Sequence, residues 1–173
     1  MKTKIVIGTG LAILITAFAL MDGFQGEEST ASAAIPWKKF DEGVLLAKKE
    51  NKKIIVDVYT DWCSWCKKMD KEVYGNPAIS KMLSKNFISV KLNPEASEQV
   101  TFEGRSIANS QFAQNFGVTG YPTTLFLDSE MKPITILPGY VTETEFRKIL
   151  TYIGENHYKS MSFDQYRSTA SKE

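Results

Sequence analysis

Cys63 and Cys66 are the residues of this chain whose type and spacing most directly permit chemistry. Two thiols three positions apart can close and reopen a small ring by thiol–disulfide exchange. The apolar run Ile54-Ile55-Val56 upstream reads as a buried strand, and Lys67-Lys68-Met69-Asp70 downstream continues as a helix. The pair therefore stands where a strand turns into a helix, which is the setting of a redox-active CxxC. There, unpaired backbone N–H groups and the positive end of the helix dipole stabilise a negative sulfur. Cys63 is placed to be that sulfur, and Cys66 follows one turn deeper.

The inert readings of the pair are weaker. These are the only two cysteines, and a ring of about four residues removes only roughly 2 kcal/mol of chain entropy, against about 4.7 for a 100-residue loop. A structural zinc needs four ligands, and the single histidine, His157, lies far along the chain. Covalent haem attachment needs histidine after the second cysteine, where Lys67 stands. No metal and no cofactor is expected.

The elements that must hold this pair can be laid out from patterning. Asp41 reads as the cap of a helix through Val44, Leu45, Ala47 and Lys48 that ends near Asn51. Ile54 to Tyr59 is the central strand, and the helix from Cys63 carries Cys66, Met69 and Val73 on one face. Gly75-Asn76-Pro77 breaks or kinks that helix, with Asn76 capping a restart at Pro77. Phe87 to Leu92 reads as a second buried strand, and Ser106 to Phe116 as a helix with Ala108, Phe112 and Phe116 in step. Thr123–Leu127 and Pro133–Leu137 read as two short strands around the turn Asp128-Ser129-Glu130, and Glu143–Tyr152 as a closing amphipathic helix. The order implies an α/β fold, a central mixed sheet flanked by helices.

Length and composition suit one globular domain with appendages: 173 residues, 43% hydrophobic, net charge +1. No basic stretch is interleaved with aromatics, which argues against nucleic acid as a partner. The N-terminus reads as an address. Lys2 and Lys4 precede an uncharged apolar run from Ile5 to Met21, and Asp22, Glu27 and Glu28 follow. The lysines orient the remainder outside the cytoplasm, periplasmic or secreted. Residues 1–21 are a cleaved signal peptide or a retained membrane anchor, because the run also reaches the lower limit of about 17 residues for a span. Residues 22–34 read as a linker, 35–158 as the domain, and 159–173 as a loose polar tail.

Several segments together resemble the thioredoxin-like superfamily. They are Val56-Asp57-x-Tyr59-x-Asp61-Trp62-Cys63-x-x-Cys66-Lys67, the strand end Lys91-Leu92-Asn93, Phe116 to Thr123 with Gly120-Tyr121-Pro122-Thr123, and Pro138-Gly139. The resemblance runs from about Trp37 to Ile153. It is strongest to exported bacterial thioredoxin-like proteins and to the C-terminal domain of membrane thiol:disulfide interchange proteins. It implies a thioredoxin fold, with Cys63 as nucleophile and Cys66 as resolving thiol. Asp57 matches the family's buried carboxylate, which would take the proton of Cys66, and Lys91 matches the lysine facing it. Strand alternation alone leaves the side on which Asp57 lies open. Pro122 matches the cis-proline, and the backbone of Tyr121 before it would pair with substrate as an added strand.

Ser64-Trp65 departs from the Gly-Pro and Gly-His pairs of better-known members, and no histidine lies between the cysteines. Trp65 is then either a substrate contact or a shield over the helix start. The stretch from Asn93 to Gln114 is longer than in compact members. The resemblance implies an exported oxidoreductase of protein disulfides, a reductase fed by a membrane-embedded electron donor. The alternatives are an oxidase or isomerase, and a non-catalytic module binding a partner through Trp62, Trp65 and Tyr121.

Overall fold

The computed structural model describes residues 34–170. The expected export segment 1–21, nearly all of the linker and residues 171–173 lie outside the described residues. Among the described residues, no helix is long and apolar enough to cross a membrane.

Four strands form the main sheet: β1 (Lys53–Val58), β2 (Phe87–Leu92), β5 (Thr123–Leu127) and β6 (Pro133–Pro138), in the order β2-β1-β5-β6. β1 runs parallel to β2 and antiparallel to β5, and β5 runs antiparallel to β6. Ile54 to Val58 are buried without a break, as expected of a strand covered on both faces. Alternation sorts the core into two halves. Ile54, Val56 and Val58 face α1 (Phe40–Glu50) and α4 (Asn109–Asn115), among Val44, Ala47, Phe112 and Phe116. Ile55 faces the opposite layer, with Met69, Val73, Phe126, Phe146 and Leu150. That layer consists of α2 (Ser64–Met69), α3 (Pro77–Asn86) and α5 (Glu143–Gly154). Asp57 shares the Ile55 face, which settles the side that the sequence leaves open.

Local chemistry explains the boundaries. Cys63 is the N-cap of α2, and its sulfur accepts the Cys66 N–H. Asp70–Tyr74 widens the helix into a π-helical turn, closed by Gly75 N–H donating to the Asp70 carbonyl at 2.8 Å. A Cβ on Gly75 would lie 2.6 Å from the Lys71 carbonyl oxygen, so only glycine fits this close approach. Asn76 Oδ1 then caps α3, accepting from Ala78 N–H at 2.8 Å, with Pro77 in the first turn.

Three expectations need correction. The cap of α1 is Lys39 rather than Asp41, and it makes no side-chain cap bond. Asp41 sits in the first turn, where its carboxylate accepts from Thr101 N–H at 2.8 Å and Thr101 Oγ1 at 2.9 Å. Those partners belong to a hairpin of β3 (Gln99–Phe102) and β4 (Arg105–Ala108), which takes up Ser106 to Ala108, residues the helical spacing assigns to α4. Glu103 and Gly104, at φ 50° and 74°, make its two-residue turn. Finally, the polar tail is not wholly irregular: α6 (Phe163–Ala170) packs Phe163 and Tyr166 on Tyr152, with ring centroids 5.2 and 5.4 Å away.

Candidate active site

Cys63 and Cys66 are joined as a disulfide with Cα atoms 5.3 Å apart, and each is only 4% exposed. The strand-to-helix turn that holds them is short. Cys63 N–H donates to the Thr60 carbonyl at 3.2 Å, and Lys67 N–H donates to the Cys63 carbonyl at 3.2 Å. Cys66 N–H reaches Cys63 Sγ at 3.0 Å. An N–H aimed at that sulfur from the first helical turn would stabilise it as a thiolate once the disulfide opens.

Asp57 lies at the buried end of β1, between Lys91 of β2 and Thr124 of β5 in the ladder register. It is 2% exposed, and burial pushes its carboxyl up to about 6, with Lys91 pulling the other way. Lys91 Nζ stands 3.4 Å from Asp57 Oδ2 and 2.6 Å from Asp70 Oδ1, so one ammonium bridges a buried acid and a half-exposed one. Burial acts to lower the Lys91 pKa, but the two carboxylates outweigh it and the net shift is upward. The same ammonium lies over the rings of Tyr59 and Trp37, 4.8 and 5.2 Å from their centroids. Asp57 Oδ1 is buried and makes no regular hydrogen bond among the described residues. The Tyr74 hydroxyl beside it favours the ionised acid and bonds Thr124 Oγ1 at 3.3 Å. Asp70, Lys91, Tyr74 and Trp37 line an open cleft of ≈ 510 Å³.

Aromatic side chains frame the disulfide. Trp62 is 67% exposed; its indole N–H donates to both Glu95 carboxylate oxygens, at 3.0 and 2.9 Å. The Tyr121 ring meets it edge-on, with centroids 6.1 Å apart. The Tyr121–Pro122 peptide bond is cis, and Gly139 N–H donates to the Pro122 carbonyl at 2.8 Å. Trp65 is half exposed and turns to Tyr140, with centroids 5.6 Å apart. Lys68 Nζ lies 4.9 and 5.0 Å from the centroids of those two rings. Among the described residues, no three His, Cys, Asp or Glu side chains gather to hold a metal ion.

A strand-turn-helix CxxC, a buried acid in the strand that leads to it and a cis X–Pro bond agree with the comparison to known families, in which a model for a thioredoxin-like domain matches residues 40–154. The chain belongs to the thioredoxin-like domain family. The thiol:disulfide interchange protein DsbD of Photorhabdus laumondii is 24% identical over 153 residues, covering 83% of this chain and 25% of that protein. Its Actinobacillus pleuropneumoniae counterpart is 30% identical over 103 residues, 58% of this chain and 16% of that protein. The chain thus spans a quarter or less of the length of these relatives. A thioredoxin-fold protein from Helicobacter pylori superposes with a TM-score of 0.63 at 22% identity, covering 71% of this chain and 81% of that one.

All eight sequence-derived site residues of this thioredoxin-like chain fall within two neighbourhoods. Cys63, Cys66, Trp62, Trp65, Tyr121 and Pro122 belong to the disulfide and its surround, while Asp57 and Lys91 form the buried pair. Asp70, Tyr74, Glu95 and Tyr140 were not read from the sequence. Asp70 and Tyr74 carried a signal, the Gly75 break that closes the π-helical turn. Glu95 and Tyr140 lie on loops whose course no periodicity reports.

Proposed function

We propose that this chain is an exported protein-disulfide reductase that needs no bound cofactor and is recharged by a membrane-embedded electron donor. Its fold family and its DsbD relatives support disulfide exchange as the chemistry. The apolar lysine-led segment at residues 1–21 supports export and leaves a retained anchor open. The observation that carries the reading is the buried Asp57, with its proton affinity raised to about 6, on the sheet face that α2 covers.

In the reductive half-cycle the Cys63 thiolate attacks one sulfur of a substrate disulfide and expels the other as thiolate. A mixed disulfide now joins Cys63 to substrate. Asp57 accepts the Cys66 proton, and the resulting thiolate attacks Cys63 Sγ, releasing the second substrate sulfur. Two electrons leave the enzyme dithiol as the Cys63–Cys66 bond forms. The proton that Asp57 takes up would then leave on the side of Lys91, whose ammonium also faces the half-exposed Asp70. Substrate would pair along the Tyr121 backbone, between Trp62 and Trp65.

The trapping experiment separates the two thiols. Cys63→Ser should bring insulin reduction with dithiothreitol to background, whereas Cys66→Ser should accumulate mixed disulfides with a disulfide peptide, read by mass spectrometry. Trapping by Cys63→Ser but not by Cys66→Ser would reverse the assignment. The exposed Trp62 and Trp65 also suit a non-catalytic binding module, and an inactive wild-type chain in the insulin assay would favour that reading.

A further inference from the structure

Trp62 and Trp65 are two of the four large apolar side chains that the described residues leave exposed, and their electrostatic settings differ. The Trp65–Tyr140 rings already carry a cation of the chain itself, the Lys68 ammonium, with Glu72 4.0 Å from it. The Trp62–Tyr121 rings carry a carboxylate instead. Glu95 accepts the indole N–H with both oxygens, and among the described residues no cation answers it. The loop that presents Glu95 is itself held, since Asn93 Oδ1 accepts the Glu95 N–H at 2.9 Å and Asn93 Nδ2 reaches Asp61 Oδ2 at 3.4 Å. Glu95 is close enough to raise the Tyr121 hydroxyl pKa further after burial has done so. An aromatic face beside a fixed carboxylate is complementary to a Lys or Arg side chain, through the ring quadrupole and the charge together.

We infer that Trp62, Tyr121 and Glu95 select disulfide substrates carrying Lys or Arg beside the attacked cysteine. The inference rests on the oxidoreductase reading above and adds a substrate class to it. Trp62 immediately precedes Cys63, and Tyr121 immediately precedes Pro122. A peptide strand laid along Tyr121 with its sulfur at Cys63 therefore carries its flanking side chain past the Trp62 ring and the Glu95 carboxylate. Lys68 lies on the Trp65 side of the site, over two rings and 4.0 Å from Glu72, rather than at Glu95.

The test uses the full chain, fully reduced, against three symmetric peptide disulfides differing only in the residue next to cysteine: Lys, Gln or Glu. Single-turnover reduction is followed by tryptophan fluorescence at low salt. The Lys peptide should react about fivefold or more faster per unit concentration than the Glu peptide, with Gln between, and 0.5 M salt should compress the series. Glu95→Gln should flatten the Lys-to-Glu ratio, Glu95→Asp should keep its direction, and Glu95→Lys should invert it. Because each ratio is taken within one variant, an altered overall rate does not imitate the effect. Equal rates for all three peptides on the wild-type chain would overturn this inference while leaving the oxidoreductase reading intact. If none of the peptides is reduced, the oxidoreductase reading falls, and this inference with it.

Discussion

At Asp57 the chain keeps an acid where its ionised form is costly, and the cost has a definite pH window. The carboxyl is raised from 3.8 to about 6 chiefly by burial. Folding therefore favours the protonated form. The stabilising contribution is complete below about pH 3.8 and is lost as pH rises through about 6, which amounts to about 3 kcal/mol at neutral pH. Asp57→Asn removes the titration. The variant should gain about 1–3 kcal/mol over the wild-type chain at pH 7.5 and nothing at pH 4, because the amide is neutral throughout. Lys91 keeps a partner in the variant, Asp70 at 2.6 Å. Thermal melts at the two pH values check the difference, and stopped-flow turnover of the same variant should show slowed resolution near neutrality. A uniform destabilisation at both pH values with unchanged kinetics would make Asp57 a purely structural residue.

The elements that serve the site are ordinary except for the π-helical turn Asp70–Tyr74. It sets Asp70 on Lys91 and Tyr74 on Thr124, and it closes at Gly75. Gly75→Ala puts a methyl 2.6 Å from the Lys71 carbonyl oxygen and 3.2 Å from that of Asp70, both backbone atoms that yield only by deforming the turn. The expected loss is about 1–3 kcal/mol in a urea titration, with the pH dependence of resolution displaced because the Lys91 partners shift. A variant of wild-type stability would mean that the turn rewinds as α-helix at no cost. This turn also marks what the sequence left unread. The Gly75-Asn76-Pro77 punctuation announced an end and a restart, but a one-residue widening changes no periodicity over five residues. Strands β1, β2, β5 and β6 were legible because each is a short apolar run bounded by turn residues. The β3–β4 hairpin was not, because Ala108, Phe112 and Phe116 extend a helical spacing upstream across Ser106 and Ile107. The deciding signal was the Glu103-Gly104 turn, in which only the glycine advertises a positive φ. An acid before an apolar helical run fits the role of a cap, whereas the partner that Asp41 takes, Thr101, lies 60 residues away. In the candidate site, Cys63, Cys66, Asp57, Lys91 and Pro122 were placed by motif, but the bridge from Lys91 to Asp70 depends on tertiary register alone.

For the molecule as a whole the open quantity is the direction in which electrons run, and the environment of Cys63 bears on it. Thioredoxin sits at roughly −270 mV and a strong periplasmic oxidase near −120 mV, a gap of about 7 kcal/mol for two electrons. An oxidising potential requires a reduced form whose Cys63 thiolate is stabilised far more than a helix start provides. Here the stabilisers near that sulfur are few. One N–H, from Cys66, reaches it at 3.0 Å, and Ser64 and Trp65 carry no charge. Lys67 and Lys68 favour a thiolate, but both are exposed and screened by solvent, and Lys68 is drawn to the Trp65 and Tyr140 rings and to Glu72. Asp61, two residues before Cys63, opposes a thiolate, and Glu95 adds negative charge beside Trp62. Asp57 raises the cost of a second anion beneath the pair whenever it is ionised, which also favours closing the disulfide. The prediction from these terms together is a couple on the reducing side, nearer about −270 mV than about −120 mV. Equilibration of the full chain against glutathione and dithiothreitol buffers, with thiol alkylation as the readout, measures it. Glu95→Gln should move the value upward, towards oxidising, by no more than about 30 mV, since an exposed charge is screened. A wild-type potential above about −180 mV, the isomerase level, would reverse the direction of electron flow and make oxidation or isomerisation of protein disulfides the better reading.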